Sequence, residues 1–264
     1  MSASTPSIRY DAKDGLAHIT FAHAARMNAM TLGMWKALPE AVARADADPE
    51  VRAIVVTGEG EKAFCAGADI SEFGQVRATE ADVAAYEVAV SAANQALSSA
   101  KKPTIALIRG ICFGGGFGLA MSCDLRLASH DSRFRIPAAR LGLGYGYGGV
   151  EALVRRIGMA GVADLLLSAR ILDAGEALRY SIATLVWERS VFDEKAADYL
   201  KTMATNAPLT MQAVKGALTE LMRPEAERDA ATAEALVAQC FESNDYREGQ
   251  KAFLEKRAPV FRGR

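Results

Sequence analysis

The chain has 264 residues, 31 basic and 32 acidic side chains and a formal net charge of -1, with half of its residues apolar and 24% charged. That is a globular composition, not a disordered one, and the balanced charge without a long Lys/Arg block argues against a nucleic-acid partner. A chain this long buries a full core without staples, and Cys65, Cys112, Cys123 and Cys240 form neither a CxxC pair nor a metal-ligand cluster, so a reducing, cytoplasmic setting is expected.

Residues 1–6 are small and polar, with no basic segment leading into an apolar one, so neither a secretory signal nor a transit peptide is expected. Residues 7–21 alternate apolar and polar positions around Lys13-Asp14-Gly15, which predicts a hairpin. Further β-rich runs lie at 52–57, 104–109, 123–129 and 183–187, and helical patterns lie between them at 31–47, 79–100, 116–121 and 150–157. Strands alternating with helices predict an α/β fold.

Beyond about Asp173 the strand signal fades. Asp173 and Glu176 have capping-box spacing, and Asn206-Ala207-Pro208 opens a stretch in which Met211, Val214, Leu218 and Leu221-Met222 recur at helical spacing. Two more amphipathic stretches follow at 225–241 and 246–255. The chain therefore divides into a core over 1–200 and a C-terminal helical region over 201–264, whose apolar faces pack on the core or on a neighbouring subunit. Nowhere do about 18 apolar residues run together, so no spanning helix and no membrane partner are expected.

Three segments could carry chemistry. Gly110 to Gly118 is glycine-rich, follows the 104–109 strand and precedes Leu119-Ala120-Met121; free amides at a helix start, bared by glycine, make an anion or oxyanion cradle. Gly144, Gly146 and Gly149 satisfy GxGxxG, but the preceding Arg135-Ile136-Pro137-Ala138-Ala139-Arg140 is a poor buried strand, which speaks against a dinucleotide fold. In the third segment, Ala66, Gly67 and Ala68 leave the backbone bare after the 52–57 strand, either for a ligand or as a tight packing turn. No P-loop, HExxH or GxSxG motif is present, and His18, His23 and His130 are not spaced as metal ligands.

In combination, four blocks resemble the crotonase superfamily, the enoyl-CoA hydratase/isomerase family, over nearly the whole chain. They are Arg26-Met27-Asn28-Ala29-Met30, the 63–70 segment Ala63 to Ile70, Lys102-Pro103 to Asp124 with Gly114-Gly115-Gly116, and Glu248-Gly249 through Phe253 to Arg257. The resemblance implies a ββα spiral core with a C-terminal helical subdomain that assembles trimers or dimers of trimers. It implies an acyl-CoA thioester as substrate, so that coenzyme A arrives as part of the substrate and no cofactor or metal is permanently bound. By motif, the thioester oxygen would lie between the backbone amides of Ala68 and Gly115. CoA would follow Arg26 and Met27, with Ala66, Gly67, Asp69, Ile70 and Gly114 along its path and Phe253 and Lys256 at the nucleotide end. Preorganised amides aimed at developing enolate charge are a large source of rate enhancement.

The chain departs from the family where hydratases carry two glutamates: Gly118 and Ala138 occupy those positions, so hydration by that acid pair is excluded. By motif, Tyr145 and Tyr147 remain near the site, and Tyr145 falls where the malonyl-type decarboxylase branch carries a tyrosine. Glu151, at the start of the next helix, is the nearest other acid; it serves there or favours the helix N-terminus. Three readings stay open: an acyl-CoA-transforming lyase or isomerase, a malonyl-type decarboxylase using Tyr145, and an acyl-CoA-binding protein without catalysis.

Overall fold

The N-terminal alternation becomes a hairpin. Strands β1 (Ser7–Lys13) and β2 (Leu16–Ala22) pair antiparallel through Asp14 and Gly15, at φ of 52° and 80°. Positive φ at both central residues is what a two-residue hairpin turn requires. This computed structural model describes residues 5–264, so the first four residues of the polar N-terminal stretch lie outside it.

Helix α1 (Leu32–Ala47), capped by the Thr31 side chain, buries Met34, Trp35, Leu38 and Val42, and the chain then enters β3 (Ala53–Gly58) parallel to β2. From there each pass adds one strand to each of two sheets and then a helix. β3 is followed by β4 (Ala63–Cys65), the short α2 (Phe73–Val76) and α3 (Glu80–Ser99), the last held at its start by a Thr79–Asp82 capping box. The second pass is β5 (Thr104–Ile108), β6 (Ile111–Phe113) and α4 (Gly115–Ser122); the third is β7 (Leu125–Ser129), β8 (Arg133–Arg135) and α5 (Tyr147–Ala163). The chain continues through β9 (Leu172–Asp173), α6 (Ala174–Arg179), β10 (Leu185–Trp187) and α7 (Phe192–Thr205).

The main sheet has the order β1-β2-β3-β5-β7-β10, parallel from β2 onward; the second is β4-β6-β8-β9, in which only the β8–β9 pair is antiparallel. β3 and β5 are buried along nearly their whole length, as strands covered on both faces must be. The main core, with Phe21, Trp35, Phe64, Phe117 and Phe134, fills one side of the main sheet, and Val55, Ile105, Leu127 and Leu200 form a smaller cluster under α7 on the other.

The tail is helical as the apolar spacing predicts: α8 (Pro208–Met222), α9 (Ala230–Glu242) and α10 (Asn244–Leu254). Residue 200 lies inside α7, so the helical break nearest the expected division is at Asn206. α8 is anchored to the core by Lys215, 4% exposed, whose Nζ donates to Asp124 Oδ1 at 2.6 Å. No helix among the described residues is long and apolar enough to cross a membrane.

Candidate active site

The site is built where two turns of backbone meet. Asn28, at φ 56°, accepts from His23 N through Oδ1 (3.1 Å) and donates through Nδ2 to Glu59 O (3.0 Å) and Ala63 O (2.7 Å). This pins the 24–30 loop onto the β3–β4 connection. The loop then pairs with the segment after β4: Ala66 N donates to Met27 O (3.0 Å), Met30 N to Gly67 O (2.7 Å), and Asp69 N to Met30 O (2.9 Å). Arg26, Met27, Ala66, Gly67, Asp69 and Ile70 are thereby brought together. Arg26 and Ile70 are exposed, whereas Asp69 is buried.

Burial raises the Asp69 pKa, but the Ser71 side-chain and backbone hydrogen bonds and the charge of Arg26 outweigh it, leaving the carboxyl below its ordinary value. Asp69 is thus an ionised acceptor that shapes the loop, capping the turn at residues 70–72. Glu72 does similar work, accepting from Leu32 N at 2.9 Å at the start of α1.

Gly67 places this segment against the N-terminus of α4. Its φ is 106°, and a Cβ there would lie 3.2 Å from Phe113 O and 3.3 Å from Gly115 N, so both conformation and contact call for glycine. A Cβ on Gly115 would in turn lie 3.8 Å from Ala68 N and 3.1 Å from the ring of Trp35. Neither Ala68 N nor Gly115 N donates to a backbone carbonyl among the described residues; their neighbours do, Gly114 N to Arg135 O (2.9 Å) and Gly118 N to Gly114 O (3.1 Å). The amide of Gly115 also carries the positive end of the α4 dipole. Trp35, fully buried, forms the floor beneath it, its Nε1 donating to Tyr86 Oη at 2.9 Å.

Gly118, three residues into α4, and Tyr145 line one half-open cavity of about 570 Å³, together with Glu151 and Arg156 of α5 and Asn94 of α3. A Cβ on Gly118 would stand 3.5 Å from Asn94 Oδ1, so a side chain there would enter the cavity without collision. Ala138 is buried. Tyr145 is 39% exposed, and partial desolvation raises its phenol above the ordinary value, so it is a neutral donor at physiological pH; its ring packs where a Cβ of Gly149 would come within 2.9 Å. Glu151 pairs with Arg155 at 3.0 Å. Tyr147 is 83% exposed at the start of α5 and is not a wall of this cavity, which separates it from Tyr145. The GxGxxG run at 144–149 follows a short helical turn at 138–140, with no strand leading into it, so it lacks the strand-to-helix turn of a dinucleotide site.

Phe253 and Lys256 stand apart. Phe253, 83% exposed, lines an apolar groove of α8, α9 and α10, and Lys256 follows in the left-handed conformation at φ 53°; neither is hydrogen-bonded to the 26–30 or 66–70 segments among the described residues. Burial lifts the Cys65 and Cys123 thiols to about 12, and Cys112 is raised as well, so all three are unreactive core groups. Among the described residues there is no group of three or more His, Cys, Asp or Glu side chains placed to hold a metal. Trp35, Asn94 and Arg156 give no motif in the sequence; they become part of the site only through packing of α1, α3 and α5.

Two mostly parallel sheets wound with helices, and a helix N-terminus facing a glycine turn, define a protein of the crotonase class. Residues 11–264 match the family model for enoyl-CoA hydratase/isomerase. The short-chain-enoyl-CoA hydratase of Clostridium acetobutylicum is 32% identical over 246 residues, 93% of this chain and 94% of that protein. The (E)-benzylidenesuccinyl-CoA hydratase of Thauera aromatica is 34% identical over 258 residues, 97% and 99% of the two chains. The crystal structure of an enoyl-CoA hydratase/carnithine racemase from Magnetospirillum magneticum superposes with a TM-score of 0.92 at 33% identity, over 99% of this chain and 97% of that one. The chain belongs to the enoyl-CoA hydratase/isomerase family.

Proposed function

We propose that this chain is a cytoplasmic acyl-CoA lyase or isomerase in which the amides of Ala68 and Gly115 hold the thioester oxygen while enolate charge builds on it. The observation that carries this is the meeting of the two unpartnered amides across Gly67, with a Gly115 Cβ falling 3.8 Å from Ala68 N. Two donors fixed before the reaction, one at a helix start, stabilise that charge without reorganisation. Proton transfer falls to groups other than the paired glutamates, since Gly118 and Ala138 carry no acid. Tyr145, a neutral phenol lining the same cavity as Gly118, is the donor, and Glu151, which also lines that cavity in an ion pair with Arg155, is the base.

In this reading coenzyme A arrives with the substrate along Arg26, Met27 and the 66–70 backbone. The exposed Phe253 and the apolar groove of the tail meet a neighbouring subunit in a trimer or a dimer of trimers, which is how Phe253 and Lys256 would reach a nucleotide end.

The test is a steady-state assay with crotonyl-CoA, a 3-enoyl-CoA and methylmalonyl-CoA, following thioester absorbance and carbon dioxide. Turnover of an enoyl ester supports the lyase or isomerase reading. Carbon dioxide from methylmalonyl-CoA alone would favour the decarboxylase reading, and binding without turnover would leave a non-catalytic acyl-CoA-binding protein. Introducing both acids, Gly118→Glu with Ala138→Glu, is expected to raise hydration of crotonyl-CoA by about 100-fold or more over a weak parent; strong parental hydration would defeat the argument from the missing acids.

A further inference from the structure

The cavity beyond Gly118 has an unusual wall for a hydrocarbon chain. Acyl pockets that take plain alkyl groups are lined mainly by apolar side chains with few polar groups; here Ser91, Asn94, Gln95 and Ser122 share the lining with Met121, Leu153 and Met222. Two arginines of α5 border it, and they differ. Arg155 is neutralised by Glu151 at 3.0 Å and donates to Met222 O at 3.1 Å. Arg156, half-buried, has no carboxylate partner among the described residues, and its Nη1 makes a single long contact of 3.4 Å with Cys123 O. The nearest acid acting on it, Asp124, is already engaged by Lys215 Nζ (2.6 Å) and by Thr104 N (2.8 Å).

A guanidinium withdrawn from water without an anion is costly, and a bidentate carboxylate is its best-matched partner. Desolvation lowers the Arg156 pKa, in keeping with a group that lacks its counter-ion. We infer that the acyl group of the substrate carries a carboxylate at its far end, bound by Arg156, so that the site takes CoA monothioesters of dicarboxylic acids. This rests on the acyl-CoA reading above and specifies the substrate class of the same site.

The spacing sets the chain length. Arg156 reaches the carbonyl of Cys123, the residue ending α4, and the Gly115 amide begins it. Eight residues of helix separate the two, about 12 Å at the helical rise. A carboxylate next to the thioester, as in malonyl-CoA, does not span that distance, so Arg156 serves a longer acid distinct from anything held at Tyr145.

Calorimetric titration of the full chain with coenzyme A, octanoyl-CoA, ω-hydroxyoctanoyl-CoA and octanedioyl-CoA tests this. The expected result is octanedioyl-CoA bound at least about tenfold more tightly than both other esters, with Arg156→Gln removing the difference. Octanoyl-CoA bound as tightly as octanedioyl-CoA by the unmodified protein would overturn the inference whether or not the variant folds. A preference that survives Arg156→Gln would also overturn it. Failure of coenzyme A and all three esters to bind would instead remove the acyl-CoA reading, and this inference with it.

Discussion

Replacing Gly115 with alanine puts one methyl group at the start of α4, between the Trp35 ring and the amide of Ala68. The new Cβ would stand 3.8 Å from Ala68 N, on the side where a thioester oxygen must approach both amides at about 2.9 Å. It would also lie 3.1 Å from the ring of Trp35. That ring cannot swing aside freely, because it is fully buried, bonded to Tyr86 Oη at 2.9 Å, and Tyr86 in turn packs edge-on against Phe73. The start of α4 therefore gives by a few tenths of an ångström, displacing its amide from the oxygen. Overpacking of this kind costs about 1–3 kcal/mol of stability, a fall of roughly 2–10 °C in Tm for a chain of this size. Loss of one oxyanion donor costs about 100- to 1,000-fold in turnover, or about 3–4 kcal/mol of transition-state stabilisation. Steady-state kinetics with the best thioester of the assay panel, beside a calorimetric melt, separates the two effects. Gly115→Ala with kcat/KM within about threefold of the parent would refute the assignment of this amide to the reacting oxygen.

Three other outcomes are expected. Tyr145→Phe removes the neutral phenol from the cavity and lowers kcat by about 100-fold or more, with little change in Tm; unchanged kcat would show that the hydroxyl takes no part. Asp69 is held below its ordinary pKa of 3.8 in the folded chain, so it contributes stability that is full above that value and is lost as pH falls through the lower folded value. Urea melts of Asp69→Asn and the parent should therefore differ most near neutral pH and converge as pH drops below about 4; a difference independent of pH would contradict this. Lys215→Ala leaves Asp124 half-buried without its cation and should destabilise the chain by about 3–5 kcal/mol in urea melts, while Lys215→Met should cost less because it restores the packing.

The long elements were legible in the sequence because their periods repeat: the 7–21 alternation, the apolar runs of β3 and β5, and the stripes of α1, α3 and α8. The second sheet was not, because its strands hold two or three residues each, too few for a period of two to register. α7 was not legible either, because its stripe of Phe192, Ala196, Tyr199, Leu200 and Met203 mixes an aromatic, a small residue and a polar-tipped ring among charged positions. α5 starts three residues before the predicted 150–157 run and extends past Gly158, whose φ of 72° breaks the helix within a continuous assignment. Of the candidate site, the glycine turn at 66–68 and the α4 start were readable because bared backbone needs small residues. Asn28 was visible only as part of the resemblance; its work, three side-chain hydrogen bonds across two loops, belongs to folding at a distance. Trp35 and Arg156 had no local mark at all, since a buried indole and a helix arginine look like any others until α1 and α5 have packed.

The most direct measurement is a crystal structure of the protein with octanoyl-CoA, a saturated ester that can occupy the site without reacting. The account predicts the thioester oxygen about 2.7–3.1 Å from both Ala68 N and Gly115 N, with the acyl chain passing Gly118 toward Arg156. An ordered ester whose carbonyl oxygen lies away from either amide, or whose acyl chain leaves by another route, would contradict it.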